Sequence, residues 1–162
     1  MITIFTHINC PDGYTCAWIC WKKYGINKNV RYVGLHPNTA WAEYPDIKGH
    51  MVLMFDVCPT KEAYDMLQKQ AKQFHVYDHH VSNYRMFKES EHVTFDLDHS
   101  AAYMAWKVIF PKTRVPSIVK YIEDNDMGWW KLSGTKSLSL ALSINHKLNF
   151  SKDKFIVWDN LL

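Results

Sequence analysis

Met51-Val52-Leu53-Met54-Phe55 is an unbroken apolar run, and it stops on a carboxylate, Asp56. Five apolar residues without a polar interruption predict a strand buried on both faces, as in parallel sheets covered by helices on each side. The same design recurs around it. Residues 2–6 predict a short strand that leads into His7 and then Asp12-Gly13. His75-Val76-Tyr77 predicts another, leading into Asp78-His79-His80. Residues 30–35 and 92–95 are further strand candidates. Helical spacing fills the intervals. Tyr14, Ala17, Trp18 and Trp21 share one face of a helix over 13–24. Pro59-Thr60 opens a second, with Thr60 as its cap, Glu62 in the first turn and Ala63, Leu67, Ala71 and Phe74 in register. Ser100 caps a helix that runs to Phe110 and meets Pro111. Further helices are expected over 116–124, 138–146 and 153–161. Strands alternating with helices predict an α/β fold, a mainly parallel sheet flanked by helices. No repeat or linker interrupts the pattern, so 1–162 reads as one domain with a helical extension from about residue 115.

Composition narrows the function classes. The chain has 162 residues, of which 48% are hydrophobic and 22% charged, which excludes a disordered segment. The formal net charge is +3 and the pI about 8.6. The Lys and Arg residues are scattered rather than gathered in a stripe, which suits a phosphorylated ligand better than a DNA duplex. Cys10, Cys16, Cys20 and Cys58 form no C-x-x-C pair. With no signal-like N-terminus, reduced thiols and a cytoplasmic location are expected. No apolar run reaches the length of a membrane span, so no membrane partner is expected.

In parallel sheets, ligands bind beyond the carboxyl ends of the strands. There the chain places His7, Asp12, Asp56 and Asp78-His79-His80, and the apolar helix over 118–122 runs into Glu123-Asp124-Asn125-Asp126. Each piece alone has an ordinary explanation: a loop histidine, a turn at Asp12-Gly13, a strand end at Asp56, a solvated helix end at Asp124. Two adjacent imidazoles beside a carboxylate, directly after a strand, are harder to explain away. Jointly these side chains are donors for hard or borderline divalent ions such as Mn²⁺, Mg²⁺ or Zn²⁺. A carboxylate bridging two such ions is the arrangement that activates water and clamps a phosphoryl group.

Asp78-His79-His80, preceded by His7-x-x-x-Pro11-Asp12-Gly13 and by Asp56, resembles the signature of the DHH phosphoesterase superfamily. That superfamily includes RecJ-like exonucleases, nano-RNases, cyclic-dinucleotide phosphodiesterases, exopolyphosphatases and family II pyrophosphatases. The likeness covers nearly the whole chain. Tyr121-Ile122-Glu123-Asp124-Asn125-Asp126 with Trp129-Trp130, and the closing Phe155-Ile156-Val157-Trp158-Asp159-Asn160-Leu161-Leu162, resemble a bacterial and phage branch. The resemblance implies that His7, Asp12, Asp56, His79 and Asp124 hold two Mn²⁺ ions, or Mg²⁺ or another divalent ion, with Asp56 as the bridge. Asp124 is preferred to Asp126 as ligand, and Asp126 is then a catalytic candidate. Asp78 would orient a ligating imidazole, and His80 would stabilise charge on the phosphate or leaving group. The chain departs from the family pattern at Asn9 and Tyr14, where a second Asp is usual, and the glycine-rich C-terminal substrate-binding domain of many relatives is not expected here.

Asn9, Ser100, His99, Trp129 and Lys131 are the candidate substrate contacts. Ser100 could donate to a phosphate or simply cap a helix. Trp129-Trp130 could stack a nucleobase or belong to the core, where Trp18, Trp21 and Trp106 are expected. The expected function is a metal-dependent phosphoesterase in which a metal-bound hydroxide hydrolyses a small phosphodiester or phosphoanhydride. Candidate substrates are a short single-stranded oligonucleotide, a cyclic or linear dinucleotide, or polyphosphate. The compact size suggests a virus or phage, and then a host-cytoplasm location. The alternative is a catalytically impaired nucleotide-binding or scaffolding module. A homo-oligomer, in which a neighbour replaces the missing domain, is compatible with either.

Overall fold

A computed structural model describes residues 1–145 and 150–160. The apolar runs become β1 (Ile2–His7), β2 (Val30–Leu35), β3 (Met51–Phe55), β4 (Gln73–Asp78) and β5 (Val93–Phe95). They form one sheet in the order β2-β1-β3-β4-β5, with every neighbouring pair parallel. Side chains alternate across it, as a period of two requires. Ile4 and Phe55 enter the core on one face; Phe5, Val52, Met54 and Val76 enter the core on the other. The α/β fold expected from the alternating pattern is the fold observed.

Among the described residues, seven α-helices cover the two faces. On the first lie α1 (Pro11–Tyr24), α4 (Ala101–Ile109), α5 (Ser117–Asp126), α6 (Thr135–Asn145) and α7 (Lys152–Asp159). On the second lie α2 (Lys61–Gln70) and α3 (Val81–Phe87). Trp18 and Trp106 stack in the first core at 6.1 Å, and both are buried. Phe155 and Trp158 of α7 close over Tyr14, with ring centroids at 5.3 and 4.9 Å, and the Trp158 Nε1–H donates to Thr15 Oγ1. Lys22 of α1 pairs with Asp159 at the end of α7. No helix among the described residues is long and apolar enough to cross a membrane.

Two expectations shift. The helix opening at Thr60 ends at Gln70 rather than near Phe74, because Phe74 belongs to β4, pairs with Val52 and fills the second core. Ladder pairing with β3 outweighs a helical spacing that Ala71 and Phe74 would have continued. α3 had no apolar periodicity to announce it; Phe87 is its one buried residue. The expected ends at residues 146 and 161 lie outside the described residues.

Register decides where the chemistry goes. Thr6 pairs with Phe55, and Phe55 with Tyr77. The next residue of each strand, His7, Asp56 and Asp78, therefore lies on one edge of the sheet. The chain leaves β1 for β2 on one side and builds β3, β4 and β5 on the other. The β1–β3 boundary is thus the switch point where a parallel sheet opens a crevice.

Gly13 lets α1 start directly against this edge. A Cβ there would lie 2.3 Å from the His7 carbonyl oxygen and 2.9 Å from the His7 nitrogen, both backbone atoms. Gly13→Ala is expected to cost about 1–3 kcal/mol by forcing α1 away from β1. Thermal unfolding should show a fall in Tm of roughly 2–4 °C per kcal/mol.

Candidate metal centre

Five elements deliver the site. β1 ends on His7, and the first turn of α1 carries Asp12. Asp56 follows β3, Asp78-His79-His80 closes β4, and α5 ends on Asp126. Asp56 has φ 62°, a left-handed conformation seldom adopted by a residue with a side chain. Such strain persists only where the surroundings impose it, and it collects at functional sites. The buried Asp56 carboxylate offers its two oxygens to different partners. Oδ2 lies 3.5 Å from His7 Nδ1; Oδ1 lies 3.3 Å from His79 Nε2 and 3.9 Å from His80 Nδ1. His79 Nε2 also stands 3.3 Å from Asp126 Oδ2 and 3.9 Å from Asp12 Oδ2.

Asp12 is anchored from behind. Its Oδ2 accepts from the Ala101 amide at 2.9 Å and its Oδ1 from the Ala102 amide at 3.1 Å, so the N-terminus of α4 holds it. Asp78 is likewise fixed. It accepts from the His79 amide, from Asn83 Nδ2 and from His80 Nδ1, the last at 2.7 Å. With Nδ1 committed to Asp78, His80 presents Nε2 away from it.

The electrostatics do not balance within the protein. Burial first, and then the charges of Asp56 and Asp126, push the Asp12 carboxyl well above the ordinary range. Burial and the Asp56 charge likewise raise Asp126. Burial alone would raise Asp56 too, but its contacts with His7 and His79 and the charges of His79 and His80 outweigh it and hold it at about 2. Burial opposes a charge on His79, yet the Asp56 contact and the charges of Asp12, Asp126 and Asp56 lift it to about 9. Three carboxylates therefore compete for one buried imidazole. Asp56 Oδ2 and His79 Nε2 are also buried without an aligned hydrogen-bond partner. Unpaired buried polar atoms of opposite chemistry are costly and call for a bound group. Oxygen and nitrogen donors in this number fit a divalent cation.

Among the described residues, three groups have ligand atoms within 4.8 Å of one another: His7, Cys10 and Asp56; Asp12, His79 and Asp126; and Asp56, Asp78, His79 and His80. His7, Asp12, Asp56, Asp78, His79 and His80, the residues expected at this edge, all stand there. Asp124 is the ligand expected from α5, but Asp126 is the carboxylate that reaches the cluster. Two residues apart on a helix, the pair points to different faces. Asp126 faces His79. The Asp124 carboxylate turns to the following loop, where it accepts from the amides of Lys131 and Leu132 and from the Thr135 hydroxyl. Cys10 was missed because a lone thiol beside a proline carries no ligand signal.

Among the substrate candidates, Ser100 is fully buried and caps α4, accepting from the Tyr103 amide. The neighbouring amides already serve Asp12, so the helix end is taken, and the Ser100 hydroxyl is shut off from solvent. Asn9 is exposed just past β1, at φ 57°. His99 lies outside the ligand groups, with Nδ1 2.7 Å from Glu123 Oε1. Trp129 and Trp130 are 38% and 44% exposed, so the core reading of that pair does not hold. Tyr14 turns away from the cluster into the α7 aromatic contacts.

No family model matches the chain, and no curated protein matches it at a significant level. Among solved structures, the fold is similar to that of an uncharacterized protein from Helicobacter pylori G27. The match has a TM-score of 0.61 at 15% identity and covers 82% of this chain and 45% of that one. The chain thus spans less than half the length of that protein, and the likeness is one of fold.

Divalent cation should relieve the crowding. Mn²⁺ at a hundredfold excess over its Kd is expected to add about 2.7 kcal/mol, a rise in Tm of roughly 5–10 °C. Asp126→Asn removes one of the repelling carboxylates. It should raise Tm without metal and shrink the Mn²⁺-induced rise; a lower metal-free Tm would contradict the electrostatic account.

A second test concerns Asp124. Burial opposes its charge, but the Thr135, Leu132 and Lys131 hydrogen bonds hold its carboxyl below the ordinary 3.8. A lowered carboxyl stabilises the fold above its unfolded value and loses that effect as pH falls through the folded value. Asp124→Asn should therefore be less stable than the wild type at neutral pH, and the gap should close below pH 3.8.

Proposed function

We propose that this protein is a metal-dependent phosphoesterase acting on a small phosphodiester or phosphoanhydride. The observation that carries the reading is Asp56. Its two carboxylate oxygens address two donor groups, His7 with Cys10 and His79 with its carboxylate neighbours, at the switch point of a parallel sheet. That is the disposition of a bridging ligand. The resemblance of Asp78-His79-His80 and His7-x-x-x-Pro11-Asp12-Gly13 to the DHH signature supports the same reaction class and makes Mn²⁺ the expected ion.

His7, Asp12, Asp56, His79 and Asp126 would hold the ions, with Cys10 beside them. The chemistry such ions supply, when bound, is activation of water and neutralisation of phosphoryl charge. The other roles fall to the chain itself. A cleft of about 430 Å³ opens beside Asp56 and His80, lined also by Asn38, Thr60, Lys61 and Asn83. Hydroxyl, amide and ammonium donors there suit an anionic ester. Asp78 holds His80 Nδ1–H and thereby orients the ring. The same hydrogen bond raises the His80 pKa against burial, which favours the protonated ring. An imidazolium at the mouth of the cleft can donate to a phosphoryl oxygen or to the leaving oxygen.

A second reading has its own observation. Tyr14, where the family usually carries another Asp, packs on Phe155 and Trp158 and brings no oxygen to the cluster. A nucleotide-binding module with little turnover would follow if the remaining donors hold the ions too loosely.

Hydrolysis of bis(p-nitrophenyl) phosphate with Mn²⁺ separates the two. The phosphoesterase reading expects turnover that falls about 10²–10⁴-fold in His80→Ala while metal content is kept. Asp56→Ala should lose both activity and metal. Metal binding without turnover of this ester, of dinucleotides or of polyphosphate would favour the binding module.

A further inference from the structure

A second cavity, of about 450 Å³, opens between α4, α5 and the loop after α5. Tyr103, Val115, Glu123, Trp129, Lys131 and Leu132 line it. Trp129 and Leu132, 38% and 40% exposed, give the hollow apolar walls. The loop that presents them is rigidly held. The amides of Trp129 and Trp130 donate to the Asp124 carbonyl, those of Lys131 and Leu132 donate to its carboxylate, and the Thr135 hydroxyl adds a fifth bond. Trp130 pays for this turn with φ 54°, disfavoured for a bulky residue. Asp124 is thus the stake that fixes the Trp129 indole at the pocket wall. The Lys131 ammonium covers the indole from 5.3 Å.

The other wall carries a directed acceptor. Glu123 is 6% exposed, and its Oε1 lies 2.7 Å from His99 Nδ1. The His99 ring is stacked on Tyr103, at 3.9 Å between centroids and 11° between planes. No other hydrogen bond joins the Glu123 carboxylate to a described residue, so it retains acceptor capacity. Glu123 and Asp126 are three residues apart on α5 and therefore neighbours on its surface. Asp126 faces the metal centre at His79. The cavity and the cluster thus share α5, with Glu123 lining the one and Asp126 facing the other.

We propose that this cavity binds the heterocyclic base of a nucleotide whose phosphate lies at the carboxylate–imidazole cluster. The base stacks on Trp129, and the Glu123 carboxylate accepts hydrogen bonds from its amino or ring N–H groups. Stacking surface alone would take any flat apolar ring. A buried carboxylate held by His99 selects a ring with N–H donors, and the nearby cluster selects one that carries phosphate. Guanine is the best match of the common bases, because its N1–H and N2–H groups lie side by side on one edge. The inference rests on the phosphoesterase reading for the placement of the phosphate.

Calorimetric titration with GMP in Mg²⁺ buffer, and with ribose 5-phosphate as the base-free control, tests it. GMP should bind at least fivefold more tightly than ribose 5-phosphate. Trp129→Ala and Glu123→Gln should each remove most of that difference without changing the affinity for ribose 5-phosphate. Unchanged Tm values show that the variants fold, and Glu123→Gln, which keeps an oxygen for His99, carries the test if Trp129→Ala fails to fold. Equal binding of GMP and ribose 5-phosphate, or GMP affinity unmoved by both substitutions, overturns the proposal. Hydrolysis of bis(p-nitrophenyl) phosphate is read separately. Trp129-dependent GMP binding without hydrolysis keeps the base site and removes the enzyme reading; hydrolysis without GMP preference does the reverse.

Discussion

Three carboxylates, from Asp12, Asp56 and Asp126, converge on the imidazole of His79, each within 3.9 Å of its Nε2. The surrounding architecture works to keep them there. The N-terminus of α4 spends two backbone amides on Asp12. β3 ends in a left-handed turn at Asp56. α5 packs against α4 and α1 and delivers Asp126 from its last turn. Gly13 allows α1 to start in contact with the His7 backbone, so both ends of the first loop face the cluster. A constellation this costly persists where the fold over-determines it, and a divalent cation is the group that would repay it.

The two acidic residues at the end of α5 divide the labour. Asp126 belongs to the cluster, while Asp124 ties down the loop that carries Trp129 and Lys131. Both arrangements issue from one helix terminus, so the carboxylate–imidazole cluster and the α4–α5 cavity share one support. The aromatic residues divide similarly. Trp18, Trp106 and Trp158 are buried in the first core, and Tyr14 is drawn into the contacts that seat α7. Trp129 is left outside, held rather than buried.

Much of this was legible in the residues. Apolar runs ending in His7, Asp56 and Asp78 named the strands and their carboxyl ends, because a strand buried on two faces leaves its polar signal only at its tip. Phe74 keeps helical spacing from Leu67 and Ala71, and only its pairing with Val52, a residue distant in the chain, makes it strand. Asp124 was preferred to Asp126 because adjacency to an apolar stretch says nothing about which way a helix is rotated. Cys10 carried no pattern, and Glu123 stood out only within the acidic run after the apolar helix. Their surroundings come from neighbours 46 residues away at Asp56 and 24 away at His99.

By itself the sequence determined the α/β class, the order of the main elements and the donor types at the strand ends, since all of these follow from local periodicity and side-chain chemistry. Only the tertiary structure decided the strand order, the choice of Asp126 over Asp124, the turning of Tyr14 toward α7 and the existence of the α4–α5 cavity. Those depend on register between distant strands and on the rotation of packed helices, which are settled by contacts between residues far apart in the chain.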